Sequence, residues 1–144
     1  MLRKLNSFRL NEIVSPDLTI LLLRIGTACL VMTHGIPKLL KIMNGDFSFG
    51  DPLGLGAAVS LLLATFAEVV CAVLVLIGLW TRLATIPLIF TFVVIVFVVY
   101  AGDPFGDKEL PLFSLITFFS LFLTGAGTYS MDAIIQQKSF AESE

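Results

Sequence analysis

Residues 24–38 read RIGTACLVMTHGIPK. The segment lies inside a long apolar run, yet it holds Arg24, His34 and Lys38, and His34 is the sole histidine of the chain. A charge well inside a bilayer-spanning helix costs roughly 2.5–3.5 kcal/mol on insertion scales, so such a residue normally has a partner or a purpose. At about 100° per residue, Arg24, Val31, His34, Gly35 and Lys38 fall within about a third of a helix circumference. The polar groups share one face, and the fold follows from what that face meets.

Composition sets the setting. The chain has 144 residues, of which 57% are hydrophobic and 14% charged, and its mean hydropathy is +0.97. A soluble domain needs about a quarter of its residues charged to cover its surface. The chain is therefore read as an all-α integral membrane protein, a four-helix bundle in one domain. Its net charge of −2 excludes a generally basic nucleic-acid binder. Cys29 and Cys71 match no zinc or CxxC spacing and read as small packing residues, with no metal site. The first apolar run is longer than a signal-peptide core and lacks a small-x-small cleavage site, so it is expected to stay as a transmembrane helix.

Working outward, residues 1–15 place Arg3, Lys4 and Arg9 among Leu2, Leu5, Phe8 and Ile13, a basic segment at the membrane surface that is either helical or disordered. Ser15-Pro16-Asp17 starts a helix, because Ser15 can cap and Pro16 loses nothing at the first helical position. The membrane domain covers 16–132, with spans at about 18–42, 57–79, 83–101 and 110–128. Pro37 removes a helical N–H and frees the carbonyl of Thr33, next to His34. Asp51-Pro52 repeats the cap-plus-proline pattern. Glu68 is the one charge of the second span, and nearby Ala64, Thr65, Cys71 and Ala72 let another helix approach, so Glu68 is expected to face the interior. Glu109, Thr117, Ser120 and Thr124 share one face of the fourth span, as interhelical hydrogen bonders or cavity lining. Residues 133–144 read as a polar C-terminal tail, mobile from Gln136 to Glu144.

Four spans put both termini on one side. That side carries Arg3, Lys4, Arg9, Arg82 and Lys138, and the loop acids lie opposite, so the positive-inside rule places both termini in the cytoplasm. Arg24 lies roughly 10 Å, and Glu68 roughly 15 Å, from the same end of their antiparallel helices. The expectation is a buried Arg24–Glu68 ion pair. His34, Lys38 and Glu109 are expected to converge on a polar pocket near the other face, and they are the best candidates for catalytic residues.

Taken together, Arg24-x-Gly26, His34-Gly35-x-x-Lys38, Glu68, Gly78-x-x-x-Arg82 and Gly125-x-Gly127-x-Tyr129-Ser130-x-Asp132 resemble the DoxX family of small bacterial membrane proteins, over about residues 18–132. Thr128 stands where that family often has a basic residue. The resemblance implies a four-helix bundle in the bacterial inner membrane. It also implies kinship with the DoxD-type subunits of thiosulfate:quinone oxidoreductase and with proteins that tether soluble redox enzymes to the membrane.

Three functions stay open. The leading one is an accessory or scaffold subunit of a membrane redox system, whose buried charges fix packing. The second is a quinone-interacting subunit of a thiosulfate:quinone-type oxidoreductase, in which His34, with Lys38 or Glu109, bonds a quinone oxygen and moves protons. The third is a small transporter or permease, lined by the polar face of the fourth span and needing a dimer. The sequence has no haem pair, CxxC, flavin fingerprint or iron–sulfur spacing. Quinone is the one cofactor implied, electrons would need a soluble redox partner, and a homo-oligomer is compatible with the apolar third span.

Overall fold

A computed structural model of the chain describes residues 15–141. The basic segment expected before Ser15 lies outside the described residues. Among the described residues five helices follow one another: α1 Pro16–Met43, α2 Ala57–Ile77, α3 Thr81–Val99, α4 Phe105–Thr124 and α5 Met131–Ala141. The middle of α2, Phe66–Cys71, and the end of α3, Ile95–Val99, wind as π-helical turns. There is no strand among the described residues. The β-branched run near the end of α3 is helical, because a span this long and apolar satisfies its backbone only internally.

Helices α1, α2 and α3 are long and apolar enough to cross a membrane. Helix α4 differs because Asp107, Lys108 and Glu109 sit in its first turns. From Leu110 to Thr124 it rises roughly 22 Å, short of a bilayer core of about 30 Å. It ends before the expected residue 128: the backbone leaves the helix at Gly125, and residues 125–130 fold back against the ends of α1, α2 and α3.

Local chemistry sets the starts. The Leu18 N–H donates to Ser15 Oγ at 3.2 Å, and Pro16 opens α1. The helix runs on through Pro37 to Met43. Asp51-Pro52 makes a turn rather than a helix start, and α2 begins at Ala57. Within the expected polar tail, residues 133–141 are helical. Ser130 nucleates them: the Ala133 N–H donates to its Oγ at 3.2 Å, and Asp132 sits in the first turn.

The long helices pack as a ring. Helix α1 touches α2 and α4, and α3 touches α2 and α4. Ala28, Val31, Ala72, Val75, Leu88, Phe118 and Leu121 fill the centre, with the Phe92 and Phe118 rings stacked at 5.8 Å. The alanines permit close axes where no hydrophobic force drives helices together in lipid. The α4 hydroxyls do not act as glue between helices. Thr117, Ser120 and Thr124 donate to carbonyls one turn back in their own helix, those of Phe113, Ile116 and Ser120. This local bond needs no neighbour and wins by proximity.

The ring is uneven. The second half of α2 lies along α3, whereas its first part, Ala57–Thr65, packs mainly on α1. The α2–α3 hairpin therefore opens toward the end that carries the 44–56 loop, called the loop end below. The opposite, terminal end gathers the start of α1, the α2–α3 turn and residues 125–132.

The 44–56 loop is fixed by two carboxylates. Asp51 accepts from the N–H groups of Leu55 and Gly56 and from Ser60 Oγ, each at 2.9 Å. Asp46 accepts from the Ser48 hydroxyl and N–H and lies 3.5 Å from Lys41 Nζ. The Gly56 N–H, foremost, draws the Asp51 carboxyl below the ordinary carboxylate range, as the Ser48 hydroxyl does for Asp46. A depressed folded-state pKa means that the stabilisation is present above the ordinary value near 4 and is lost as pH falls through the lower folded value. Hydrogen exchange at Leu55 and Gly56, corrected for intrinsic rate, is expected to accelerate only in that acidic window. Asp51→Asn is expected to remove the pH step. An Asp51→Asn profile identical to wild type would disprove the assignment.

Candidate functional site

Helices α1 and α2 meet at Gly35. A Cβ there would lie 2.8 Å from the Glu68 carbonyl oxygen and 2.8 Å from Val69 Cγ2. Backbone on backbone is the closest approach two helices can make, and it sets their register with Gly35 level with Glu68. Side chains of a helix lean toward its N-terminus. Lys38, one turn beyond Gly35, therefore leans back onto Glu68. Its Nζ reaches both carboxylate oxygens at 2.5 Å. The Glu68 side chain is 2% exposed and that of Lys38 20%, and the ammonium also lies 5.7 Å from the centroid of the Phe49 ring, contributed by the 44–56 loop. The π-helical turn that carries Glu68 widens the helix locally, a feature frequent at functional sites.

Gly35→Ala is expected to cost about 1–3 kcal/mol, because two of the three atoms it would strike belong to the Glu68 backbone and cannot swing aside. It is also expected to weaken the Lys38–Glu68 contact by pushing the helices apart. Thermal unfolding in detergent reads the first effect. An unchanged midpoint would show that the close approach is not tight in solution.

The ion pair forms part of the wall of a cavity of about 690 Å3 at the loop end. Leu30, Val31 and His34 line it from α1, Ala64 and Ala67 from α2, Phe92 and Ile95 from α3, and Leu110 and Ser114 from α4. The lining is apolar apart from a few groups: His34, the Lys38–Glu68 pair, Tyr100 and Asp107 among them. Glu109 is not part of it; it is exposed, two residues after Asp107, which does line the cavity. The expected trio of His34, Lys38 and Glu109 is thus corrected to His34, Lys38 and Glu68, because helix phase at the start of α4 turns Glu109 away. Among the described residues, no group of three His, Cys, Asp or Glu side chains gathers as a metal ion would need.

The terminal end holds the other buried charge. Arg24 is 1% exposed. Its guanidinium donates from Nη1 to the Ala126 carbonyl at 2.5 Å and from Nη2 to the Tyr129 carbonyl at 2.7 Å. Nε has no partner among the described residues. Asp132 supplies the negative charge that the guanidinium feels. That carboxylate also accepts from the N–H groups of Trp80 and Thr81, at 2.8 and 3.2 Å, and so caps α3 from a distant part of the chain. The cap holds Trp80 at φ 47, a left-handed conformation that a bulky residue rarely adopts. Gly78, at φ 72, leaves room for this arrangement: a Cβ there would strike the Arg24 guanidinium and the Ser130 side chain. Asp17 accepts from the Thr128 N–H at 3.0 Å.

The expected Arg24–Glu68 pair does not form. Each charge has a nearer partner at its own end, carbonyls of the folded-back 125–130 segment for Arg24 and Lys38 for Glu68. The sequence reading missed Ala126, Tyr129, Phe49 and Asp107 as members of these sites. The run Gly125-x-Gly127-x-Tyr129-Ser130-x-Asp132 was the signal for the first two, since small residues and an acid after a short span indicate a segment that turns back on the helix ends.

Compared with known proteins, residues 19–101 match the family model described as DoxX. The match covers α1 to α3 and so includes His34, Gly35, Lys38 and Glu68. No curated protein and no solved structure matched the chain.

Proposed function

The chain belongs to the DoxX family, and we propose that it is an accessory subunit of a membrane redox system that holds a quinone-class molecule in the loop-end cavity. The observation that carries this reading is the cavity itself. Its volume of about 690 Å3 and apolar lining suit a ring with attached alkyl groups, and one wall presents the Lys38 ammonium, the Glu68 carboxylate and the His34 imidazole. A quinone becomes a quinol by taking two electrons and two protons. The electrons come from a partner oxidoreductase. His34 can donate a hydrogen bond or a proton to one quinone oxygen, and the Lys38 ammonium can bond an oxygen while neutralising charge that develops on it.

In this reading α1 to α4 form a four-helix bundle across the bacterial inner membrane, with both chain ends in the cytoplasm, as the distribution of basic residues supports. Arg24 serves packing, in keeping with the accessory reading. The packed residues Ala28, Val75 and Leu121 stand between the cavity and the terminal end, which argues against a transport path along the bundle.

Purification in mild detergent, followed by extraction and mass spectrometry, is expected to recover quinone near one per chain. Recovery of phospholipid alone would overturn the reading. His34→Leu is expected to lower quinone affinity about tenfold, the worth of one hydrogen bond of about 1.4 kcal/mol, while leaving the melting temperature unchanged because His34 packs into no core. An equal loss of stability and binding would make His34 a structural residue instead.

A further inference from the structure

We propose that the loop-end cavity is loaded sideways from the bilayer, through the gap where α2 and α3 diverge, and that its occupant leaves an apolar chain lying in that gap. The proposal rests on the quinone reading for the head of the ligand and adds the route and the tail. Three observations support it.

First, the α2–α3 hairpin is closed at its turn and open at the loop end. The Ala57–Thr65 stretch of α2 packs mainly on α1 rather than across to the end of α3. Second, the cavity occupies this opening. Leu63 and Phe66 line it from α2 and Phe90 from α3, and all three are half or more exposed on the outer surface of the bundle. A residue that both lines a cavity and faces outward belongs to its rim. Third, the part of the rim formed by Leu63, Phe66 and Phe90 between α2 and α3 is apolar and lies between mid-helix and the loop end, at a depth where the surroundings are hydrocarbon. Water has no favourable path there, whereas an alkyl or isoprenoid chain loses nothing by crossing. The loop end offers a poorer entrance: Phe49 sits over the Lys38 ammonium, and the 44–56 loop is tied down through Asp51 and Lys41.

The geometry also orders the ligand. The ion pair, with Glu68 buried, lies in the cavity wall and the α2–α3 rim lies at the cavity's side, so a molecule with a polar ring and one long chain seats ring-first. A fully water-soluble ligand gains nothing from such a rim.

The test uses brominated acyl chains, which quench tryptophan fluorescence on contact. The chain has a single tryptophan, Trp80, at the terminal end, and Trp80→Phe provides the dark background. Phe92→Trp places a reporter on the cavity wall, and Tyr100→Trp a second one should the first not fold. Phe97→Trp, at a position 64% exposed, gives the full lipid-facing signal. In vesicles of chain-brominated phosphatidylcholine, the cavity reporter is expected to be quenched within twofold of the Phe97→Trp reference. Adding Ala64→Leu, which fills the gap from α2, is expected to cut that quenching several-fold. A cavity reporter that is weakly quenched, or quenched equally with and without Ala64→Leu, would overturn the lateral route. Titration with a long-chain quinone in unbrominated vesicles is read separately. Bromolipid quenching without a quinone response upholds the lateral opening while removing the quinone reading, and a quinone response without bromolipid quenching does the reverse.

Discussion

Arg24→Leu is expected to destabilise the protein by about 3–5 kcal/mol, the cost of breaking a buried, hydrogen-bonded charge site. Two terms add. The carbonyls of Ala126 and Tyr129 lose their donors, in a place where water does not replace them. Asp132 loses the charge opposite it, and this acid also holds the first turn of α3 through Trp80 and Thr81. Failure should therefore spread from one side chain to three helix ends. Arg24→Lys is expected to recover little, because one ammonium on a flexible stem does not span two carbonyls as the planar fork does. Thermal unfolding in detergent of wild type, Arg24→Leu and Arg24→Lys decides this. A lysine variant as stable as wild type would show that charge alone is needed. Combining Arg24→Leu with Glu68→Leu is expected to give additive losses, since the two side chains share no partner; a strong coupling would restore the pairing that the sequence suggested.

Lys38→Met is the second large effect, again about 3–5 kcal/mol, because it leaves Glu68 in an apolar wall without its counter-ion. The double variant Lys38→Met with Glu68→Met is expected to be much closer to wild type in stability, since a matched apolar pair owes no desolvation. Because the double variant recovers most of that loss, the coupling in this cycle is expected at about 3 kcal/mol or more, at the top of the range for residues in contact. Quinone retention should separate from stability here. The double variant keeps the fold but has lost the Lys38 ammonium that would meet a quinone oxygen, so a stable double variant that still carries stoichiometric quinone would remove Lys38 from the binding site. No comparable rescue is available for Arg24, whose partners are backbone carbonyls that no substitution deletes.

The contrast between these two charges shows how legible the site was. That Glu68 faces inward followed from the small residues around it, and the structure leaves it 1% exposed. That Arg24 is buried followed from its depth in an apolar run. The choice of partners did not follow. Measured along the helices from the loop end, Lys38 is roughly 8 Å deep and Glu68 roughly 16 Å, an offset that by axial rise alone favours Arg24 as the partner until side-chain direction is included. The lean of Lys38 toward the start of α1 and the Gly35 contact close the difference.

The sequence by itself determined the four apolar helices, the cap at Ser15 and the side of α2 that carries Glu68. These are consequences of composition and of periodicity along one segment, and hydropathy needs no neighbour to act. Only the tertiary structure decided which charges meet, that α4 ends at Thr124 so that residues 125–130 can supply carbonyls to Arg24, that Asp107 rather than Glu109 reaches the cavity, and that α2 and α3 part toward the loop end. Each of these depends on the relative rotation and offset of helices far apart in sequence. A shift of one residue turns a side chain by about 100°, so no single segment encodes the outcome.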